Sequence, residues 1–569
     1  MEQQRSLEKS PPTNASAGQK RGWRARRNSS NAPGKTSRRK TVRKARRRGI
    51  SLRASMAVLT GRLVGTLSRH LGFGGGTSIA GLTAQRISPD IVNRLAAELE
   101  YGSVMVTGTN GKTTTSGFIA AALRESGLRV WRNREGSNLM GGIANALVMR
   151  ALPYGRLRRK GRAIAVFEVD EAVIKKATQA IPPRVLVFTN LFRDQLDRYG
   201  EVDSIATRWQ QTISALSPNS ILVLNADDPA TANLGRTFDG QVLYFGIDDP
   251  ALDLAAQPDT AARHQVMDTR VCPQCGRDYE YTLRYYSHLG HYFCPSCGNI
   301  RPQPDVRATR VHADEFDRMR ISVASGDREA KAQEIVLPLP GLYNIYNALA
   351  AVTTAQALHI GWEPTIIGIE QFKPAFGRGE RVQVEGRTLR LLLAKNPTGY
   401  NEVLRTLFSE GASRHVLCIL NDNSADGRDV SWIWDIDVEQ AVGHTDTLVL
   451  GGTRALDLAL RFKYAGMAQD AMVIVPPAPL RALKREALRV NRNGKRKKNK
   501  QSMKIEKGAR AAETSRAGIT AALDAAIHMT PVGETLFVIP TYTGLLEIHR
   551  ELERRGLTPH YWEGQIDET

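Results

Sequence analysis

The chain has 569 residues, room for two or three domains with cores of their own, and a net charge of +22. That charge is concentrated: residues 1–50 carry +14 and residues 481–516 carry +11, which leaves about −3 for everything else. A wholly basic nucleic-acid-binding body is therefore excluded, and no apolar run reaches membrane-spanning length. Residues 1–50 hold sixteen Lys/Arg against Glu2 and Glu8, with Trp23 as the single aromatic, a composition expected to be disordered. The segment around Asn491–Lys504 has the same character. Two readings stand for both: electrostatic arms for nucleic acid or anionic lipid, or a solubilising tail and a loop insertion. The apolar stretch Met56–Leu67 is broken by Arg62 and lacks a small-residue cleavage site, so it does not read as a secretory signal.

Residues 107–115 read Thr-Gly-Thr-Asn-Gly-Lys-Thr-Thr-Thr. The strand-like run Val104–Val106 precedes them, and a helical pattern through Phe118, Ile119, Ala122 and Leu123 follows, stopping at Gly127. A glycine-rich turn between strand and helix offers backbone N–H groups and a helix N-terminus to an anion. Gly108, Thr109, Asn110, Gly111, Lys112, Thr113 and Thr114 are thus the expected nucleotide cradle. Lys112 is placed to reach the β- and γ-phosphates, and the Thr113 hydroxyl to hold Mg²⁺. Only two residues separate Gly108 from Gly111, where the common P-loop has four.

Short β-branched runs at Ala163–Val169, Val185–Thr189, Ile221–Leu224 and Val242–Phe245 alternate with helical segments, the pattern of a mainly parallel sheet covered on both faces. Open sheets of this kind bind ligands at their carboxyl ends. Cys272-Pro-Gln-Cys275-Gly and Cys294-Pro-Ser-Cys297-Gly are matched knuckles with the spacing of a tetrahedral structural zinc site, and four thiolates leave no open position for catalysis. Cys418, in an apolar run, reads as a small core residue. Pro338–Gly341 breaks the chain before an Ala-rich helix from Asn344 to Leu358, and Gly377–Gly379 marks an expected domain boundary. Strands are then expected at Leu389–Ala394, His415–Leu420, Thr447–Leu450, Met472–Val475 and Thr535–Ile539, a second and smaller α/β domain.

With these motifs in place, the chain resembles the Mur ligase family, which joins carboxylates to amines with ATP. The resemblance rests on Thr107–Thr113, Glu168 at a strand end, Asn190–Tyr199, Asn225-Ala-Asp-Asp-Pro229, Gly341–Ala348 and Gly377-Arg-Gly-Glu-Arg381. It implies that Glu168 holds Mg²⁺ with Thr113, that Asn344 contacts adenine, and that Arg378 contacts the phosphate end. Two features depart from the amino-acid-adding members: Asp194-Gln195 stands where they have Asp-His, and Trp209-Gln210 stands where they have a lysine.

Within the family, the zinc knuckles and the stretches Lys395–Glu402, Asn421–Asp435 and Pro540–Thr543 look like the MurT branch. That likeness implies an α/β fold in which a Mur-ligase-type central ATP-binding domain (56–376) carries an inserted zinc ribbon (264–310). A C-terminal α/β domain (377–569) with a basic insertion (485–510) follows, and a basic tail (1–55) precedes. It implies ATP, Mg²⁺ and a structural Zn²⁺ as cofactors, a GatD-like glutaminase subunit as partner, and lipid II as substrate. No nucleic-acid partner is expected. The enzyme is expected in the cytoplasm, with peripheral contact to an anionic membrane at its inner face. An Asp of the C-terminal domain would complete the partner's catalytic triad, and Asp422, Asp426 and Asp429 are the candidates. Met56 lies where such chains begin. The competing readings are a stand-alone Mur- or folylpolyglutamate-type amino-acid ligase, against which Gln195 argues, and a nucleic-acid-binding ATPase, against which the near-neutral body argues.

Overall fold

The computed structural model describes residues 51–558 except 71–77, 134–135, 159–160, 194–201, 255–266, 316–317, 327–330, 374–376, 409–410 and 478–517. The basic insertion and the Asp194-Gln195 pair therefore lie outside the described residues. Helices α1 (Leu52–His70) and α2 (Ile79–Ile87) come first. Helix α1 opens inside the expected basic tail, and Ala54 is already buried against the body, which moves that boundary to about residue 51.

The larger sheet has nine strands: β1 (Ser103–Thr107), β2 (Arg129–Arg132), β5 (Ala163–Glu168), β6 (Val185–Phe188), β7 (Ile221–Asn225), β8 (Gln241–Ile247), β11 (Val306–Glu315), β12 (Arg318–Ser325) and β13 (Gln333–Leu337). Strands β3 (Ala151–Leu152) and β4 (Arg156–Leu157) make a separate ribbon, as do β9 (Glu280–Tyr286) and β10 (Leu289–Phe293). The spatial order is β13-β12-β11-β8-β7-β6-β1-β5-β2. From β2 to β11 every pairing is parallel; β12 and β13 close one edge antiparallel. Strand β11 begins at Val306, so the last five residues assigned to the zinc insertion belong to the main sheet. Strand β2 escapes a search for apolar runs because its four residues, Arg-Val-Trp-Arg, hold only two apolar side chains between two arginines.

Strand β1 shows why both faces need cover. Val104 and Val106 enter one hydrophobic cluster and Met105 the other, all fully buried. Helix α3 (Lys112–Glu125) and the Ala-rich helix α4 (Leu342–Ala357) seal the first face through Phe118, Ile119, Leu123, Ile345, Leu349 and Val352.

The second sheet has six strands: β14 (Arg378–Val384), β15 (Arg387–Leu392), β16 (Arg414–Ile419), β17 (Thr445–Gly451), β18 (Met472–Ile474) and β19 (Thr535–Pro540). Its order is β14-β15-β19-β16-β17-β18, parallel except for the β14–β15 hairpin. Helices α5 (Pro397–Phe408) and α6 (Tyr542–Arg554) flank it. Cys418 is fully buried in β16, and burial pushes its thiol up to about 12, as a core residue requires.

Candidate functional site

The β1–α3 turn is built for close approach. Gly108 (φ 135°) and Gly111 (φ 83°) occupy backbone regions that side chains disfavour. A Cβ at Gly108 would meet Thr189 Oγ1 at 2.1 Å, and one at Gly111 would meet Asn347 Oδ1 at 2.0 Å. The turn is held from outside its own segment: Asn110 N donates to Asn190 Oδ1 (2.8 Å), Thr189 Oγ1 donates to Asn110 O (2.8 Å), and Thr109 N donates to Asn190 O (3.0 Å). Helix α3 starts at Lys112, so its first N–H groups face the turn.

Parallel pairing sets Val106 beside Glu168 and beside Val187, which brings the ends of β1, β5 and β6 together. Thr113 Oγ1 then donates to Glu168 Oε2 at 2.8 Å. These two residues, 55 positions apart in sequence, are the pair expected to hold Mg²⁺. A carboxylate oxygen beside a helix-N-terminal hydroxyl is a hard-oxygen donor set suited to that ion, so the residues present fit it. Glu168 is itself fixed: Glu168 N donates to Asn133 Oδ1 and Asn133 Nδ2 returns a bond to Glu168 O, both 2.9 Å. Lys112, buried, donates from Nζ to Gly108 O (2.5 Å), Thr109 O (3.2 Å) and Glu171 Oε1 (2.7 Å). An ammonium drawn back onto its own turn is charged, satisfied and a short side-chain swing from any anion in the cradle.

A cleft of about 750 Å³, counted to its open mouth, lies beside this turn. Asn110, Gly111 and Thr114 line one side, Tyr343, Asn344 and Asn347 from α4 another, and Leu392, Thr398, Gly399 and Glu402 of the second domain a third. Asn344 is where the family resemblance puts the adenine contact. Its amide is set by Pro340 O (2.6 Å), and its oxygen accepts from Asn347 Nδ2 (3.1 Å). Arg378 opens β14 next to the lining residues Gly377 and Gly379; its side chain lies outside the described atoms. Asn396 of the second domain reaches the turn directly, with Nδ2 donating to Asn110 Oδ1 at 3.0 Å, while Asn396 Oδ1 takes the Gly399 N–H at 2.8 Å.

The four knuckle cysteines converge: their sulfurs all lie within 4.8 Å of one another, with Cys272–Cys297 at 3.6 Å and Cys275–Cys294 at 3.4 Å. Tetrahedral Zn–S bonds of about 2.3 Å put sulfurs roughly 3.8 Å apart, so the set fits zinc. Each knuckle closes by an N–H···O bond, Gly276 to Cys272 O (2.8 Å) and Gly298 to Cys294 O (3.2 Å). Burial opposes ionisation of Cys272, but the N–H groups of Gln274 and Cys275 and the Asn299 amide outweigh it and hold the thiol down to about 6. At Cys297 an N–H from Asn299 favours the thiolate, yet burial and the neighbouring sulfurs win and push it up to about 12. Four thiolates in this space need a cation. The knuckles cap the β9–β10 hairpin, whose Tyr279 and Tyr292 pack on Cys272 and Cys294.

The Asp-rich loop after β16 sorts its three candidate acids. Asp426 is 3% exposed and accepts from Thr543 N (2.7 Å) and from the Thr543 hydroxyl. Burial raises its pKa against those bonds. It ties the loop to the start of α6. Asp429 is exposed; Oδ1 accepts from Ser431 N (2.9 Å), and the Ser431 bonds lower its pKa. Asp422 is half-buried, with Oδ1 accepting from Thr453 Oγ1 at 2.8 Å and Arg454 Nε 3.9 Å from Oδ2.

Sequence reasoning missed Glu171, Asn133, Asn347 and Asn396. Glu171 follows Glu168 by three residues, which was a usable signal. Asn347 and Asn396 lie inside stretches that carry the family resemblance, Gly341–Ala348 and Lys395–Glu402, and Asn133 lies in none; the role of each exists only once distant strands and helices meet. Trp209, one of the two residues standing at the family's lysine position, is fully buried with its ring 4.9 Å from that of Phe188, a packing role.

The Mur ligase middle domain matches residues 106–290, and the MurT ligase C-terminal region matches 393–498. The chain is 33% identical to the lipid II isoglutaminyl synthase (glutamine-hydrolyzing) subunit MurT of Staphylococcus aureus, over 73% of this chain and 88% of that protein. It is as similar to the MurT subunit of Streptococcus pneumoniae, with the same coverage. Among solved structures, a pseudomurein peptide ligase type C from Methanothermus fervidus aligns with a TM-score of 0.56 at 22% identity, over 82% of this chain and 81% of that one. A UDP-N-acetylmuramoylalanyl-D-glutamyl-2,6-diaminopimelate--D-alanyl-D-alanyl ligase from Acinetobacter baumannii aligns at 0.53 and 16% identity, over 84% and 80%. These two share the fold, and the sequence relatives settle the branch: the chain belongs to the MurT family.

Proposed function

We propose that this chain is the ATP-dependent synthetase subunit of a lipid II isoglutaminyl synthase, amidating the D-isoglutamate α-carboxylate of the stem peptide during peptidoglycan synthesis. The observation that carries the reading is the Thr113–Glu168 pair at the strand ends with Lys112 beside it, in a chain of this family. A carboxylate cannot be amidated directly because its oxygen is a poor leaving group; transfer of the γ-phosphoryl group makes an acyl phosphate. Lys112 leaves Gly108 O and Glu171 for the phosphates and offsets charge on the group in flight. Thr113 and Glu168 would hold Mg²⁺, which when bound would supply further charge neutralisation on the triphosphate. Asn133 keeps Glu168 aimed, and the cleft between α4 and the second domain gives the reacting groups room beside the turn. Ammonia then attacks the acyl carbon, phosphate leaves, and a proton is lost from nitrogen.

The ammonia source in this reading is a GatD-like glutaminase bound to the chain. The acid that completes its triad must face outward, which favours Asp422 and Asp429 over the buried Asp426. The four cysteines hold a structural zinc. The enzyme works in the cytoplasm, against the inner face of the membrane that holds its substrate. Among the described residues no helix is long and apolar enough to cross a membrane, which fits a peripheral arrangement. The test is ADP release and mass-detected amidation with lipid II, ATP and ammonium. Turnover with a free amino acid as nucleophile, and none with ammonium, would sink the reading.

A further inference from the structure

Helix α5 buries Tyr400, Val403, Leu404 and Leu407 in the core of the second domain, an apolar face at helical spacing. The same helix buries a carboxylate. Glu402 is 3% exposed and borders the cleft, where it is the one carboxylate among the described lining residues. Its Oε2 accepts from Arg405 Nη2 at 2.7 Å; among the described residues its Oε1 takes no hydrogen bond. Arg405 is held in turn from outside its own domain: Nη1 donates to Tyr285 O at 2.9 Å, and the guanidinium carbon lies 5.8 Å from the Tyr286 ring centroid. Glu402 also borders a second cavity, with Arg193, Asp268 and Asn401 along its other wall, so the carboxylate faces space that lies off the cleft.

A buried anion beside a triphosphate site repels the nucleotide unless it serves a cation or a proton. Two other carboxylates near the turn are already committed, Glu168 to Thr113 and Glu171 to Lys112. The proposed reaction brings one more cation to the acyl carbon: in neutral water ammonia is mostly ammonium, which has no lone pair to attack with. We infer that Glu402 is a further catalytic residue, the base that takes a proton from ammonium in the cleft and frees the nitrogen lone pair. This role rests on the function proposed above. Ammonium gives one proton to the carboxylate, the nitrogen bonds to the acyl carbon, and the carbon–oxygen bond to phosphate breaks with its electron pair on the phosphate. The second surplus proton leaves the new amide nitrogen for the phosphate, and Glu402 releases its own to water. Burial raises the carboxyl's pKa in spite of Arg405, with the charge of Asp437 adding to the rise, which makes it a better base than an exposed glutamate. Tyr286, on the wall that the two cavities share, is raised by its own burial and stays neutral, and across the second cavity Arg193 Nε pairs with Asp268 Oδ1 at 2.8 Å.

The experiment compares two nucleophiles on the full chain, with ATP and lipid II, across a pH series. Hydroxylamine, a weaker base than ammonia, is mostly neutral at neutral pH and brings its lone pair free. Glu402→Gln should lower amide formation from ammonium about 10²-fold or more near neutrality, the usual loss for a general base. Hydroxamate formation should stay close to the parent's and the melting temperature should not fall. The ammonium deficit should shrink as the pH rises and ammonia arrives neutral. Undiminished amide formation by the variant overturns the proposal. So does an equal loss with both nucleophiles at every pH, which a merely structural glutamate would give. Glu402→Asp, which keeps a carboxylate, should regain part of the ammonium turnover; none regained, in a variant that still forms hydroxamate, overturns it too. A parent that forms neither amide nor hydroxamate removes the function above and this role with it, whereas a parent that amidates beside an unaffected Glu402→Gln removes this role alone.

Discussion

Among the described residues two places suit a metal ion, and they are made in opposite ways. The cysteine site is local: four sulfurs from a stretch of 26 residues, two knuckles and a short hairpin, with each turn closed by its own backbone. The Thr113–Glu168 site is assembled at long range, from a helix start and a strand end that meet only because β1 and β5 lie side by side in parallel. The first has its cation demand written into four crowded thiols. The second is held together by hydrogen bonds that a ligand must partly replace. Local construction suits a staple, and long-range construction suits chemistry that has to respond to what binds.

That contrast makes graded predictions. Lys112→Ala and Glu168→Gln should each lower turnover roughly 10²–10³-fold, the usual loss when one charge-stabilising group is removed. Zinc content, measured by elemental analysis, should not change in either. Near-parental turnover in Glu168→Gln would break the assignment of the long-range site. Cys272→Ser should do the reverse: the zinc is lost and the fold is weakened by about 4 kcal/mol or more, since loss of a structural metal is among the largest single-site effects. Hydrogen exchange should rise first across the hairpin from Cys272 to Ile300.

A smaller effect separates the acids of the loop. Asp426→Ala leaves the Thr543 N–H and hydroxyl without their buried acceptor and should cost about 1–3 kcal/mol in chemical denaturation. Asp429→Ala, at an exposed turn, should stay within ~0.5 kcal/mol. If Asp429 completes the partner's triad, that variant loses glutamine-dependent turnover while keeping the ammonium-dependent reaction.

The smallest effect is on pH. Glu402 lines the cleft, fully buried, with Arg405 Nη2 at 2.7 Å; burial raises its pKa above the ordinary 4.5 in spite of that arginine. A carboxyl whose folded pKa is raised binds its proton more tightly folded than unfolded. Wild-type stability should therefore fall as pH rises from about 4.5 through the raised value, relative to Glu402→Gln. A difference between the two proteins that grows in the other direction would reverse the sign of the shift.

How much of this was legible in the sequence follows the same division. The cysteine spacing specified a complete site because all its partners are near in sequence. The P-loop nonamer specified the turn, and apolar runs located most strands to within a residue or two. What pattern reading lost depended on pairing. Strand β2 is too short and too charged to register, and the antiparallel edge of β12 and β13 is set by how the chain returns from the zinc hairpin. Asn396 gains its role from a bond to Asn110 across 286 residues. Glu168 was found through resemblance to a family; nothing in its local sequence distinguishes it from other strand-end glutamates.

The most direct measurement is nitrogen transfer. With the proposed glutaminase partner co-purified, amide-labelled glutamine, ATP and lipid II are incubated and the stem peptide is analysed by mass spectrometry. The account predicts label in the D-isoglutamine amide, matched by ADP, and absent when Lys112 is replaced. Label that stays out of the stem peptide while a supplied free amino acid is ligated to it would contradict the account.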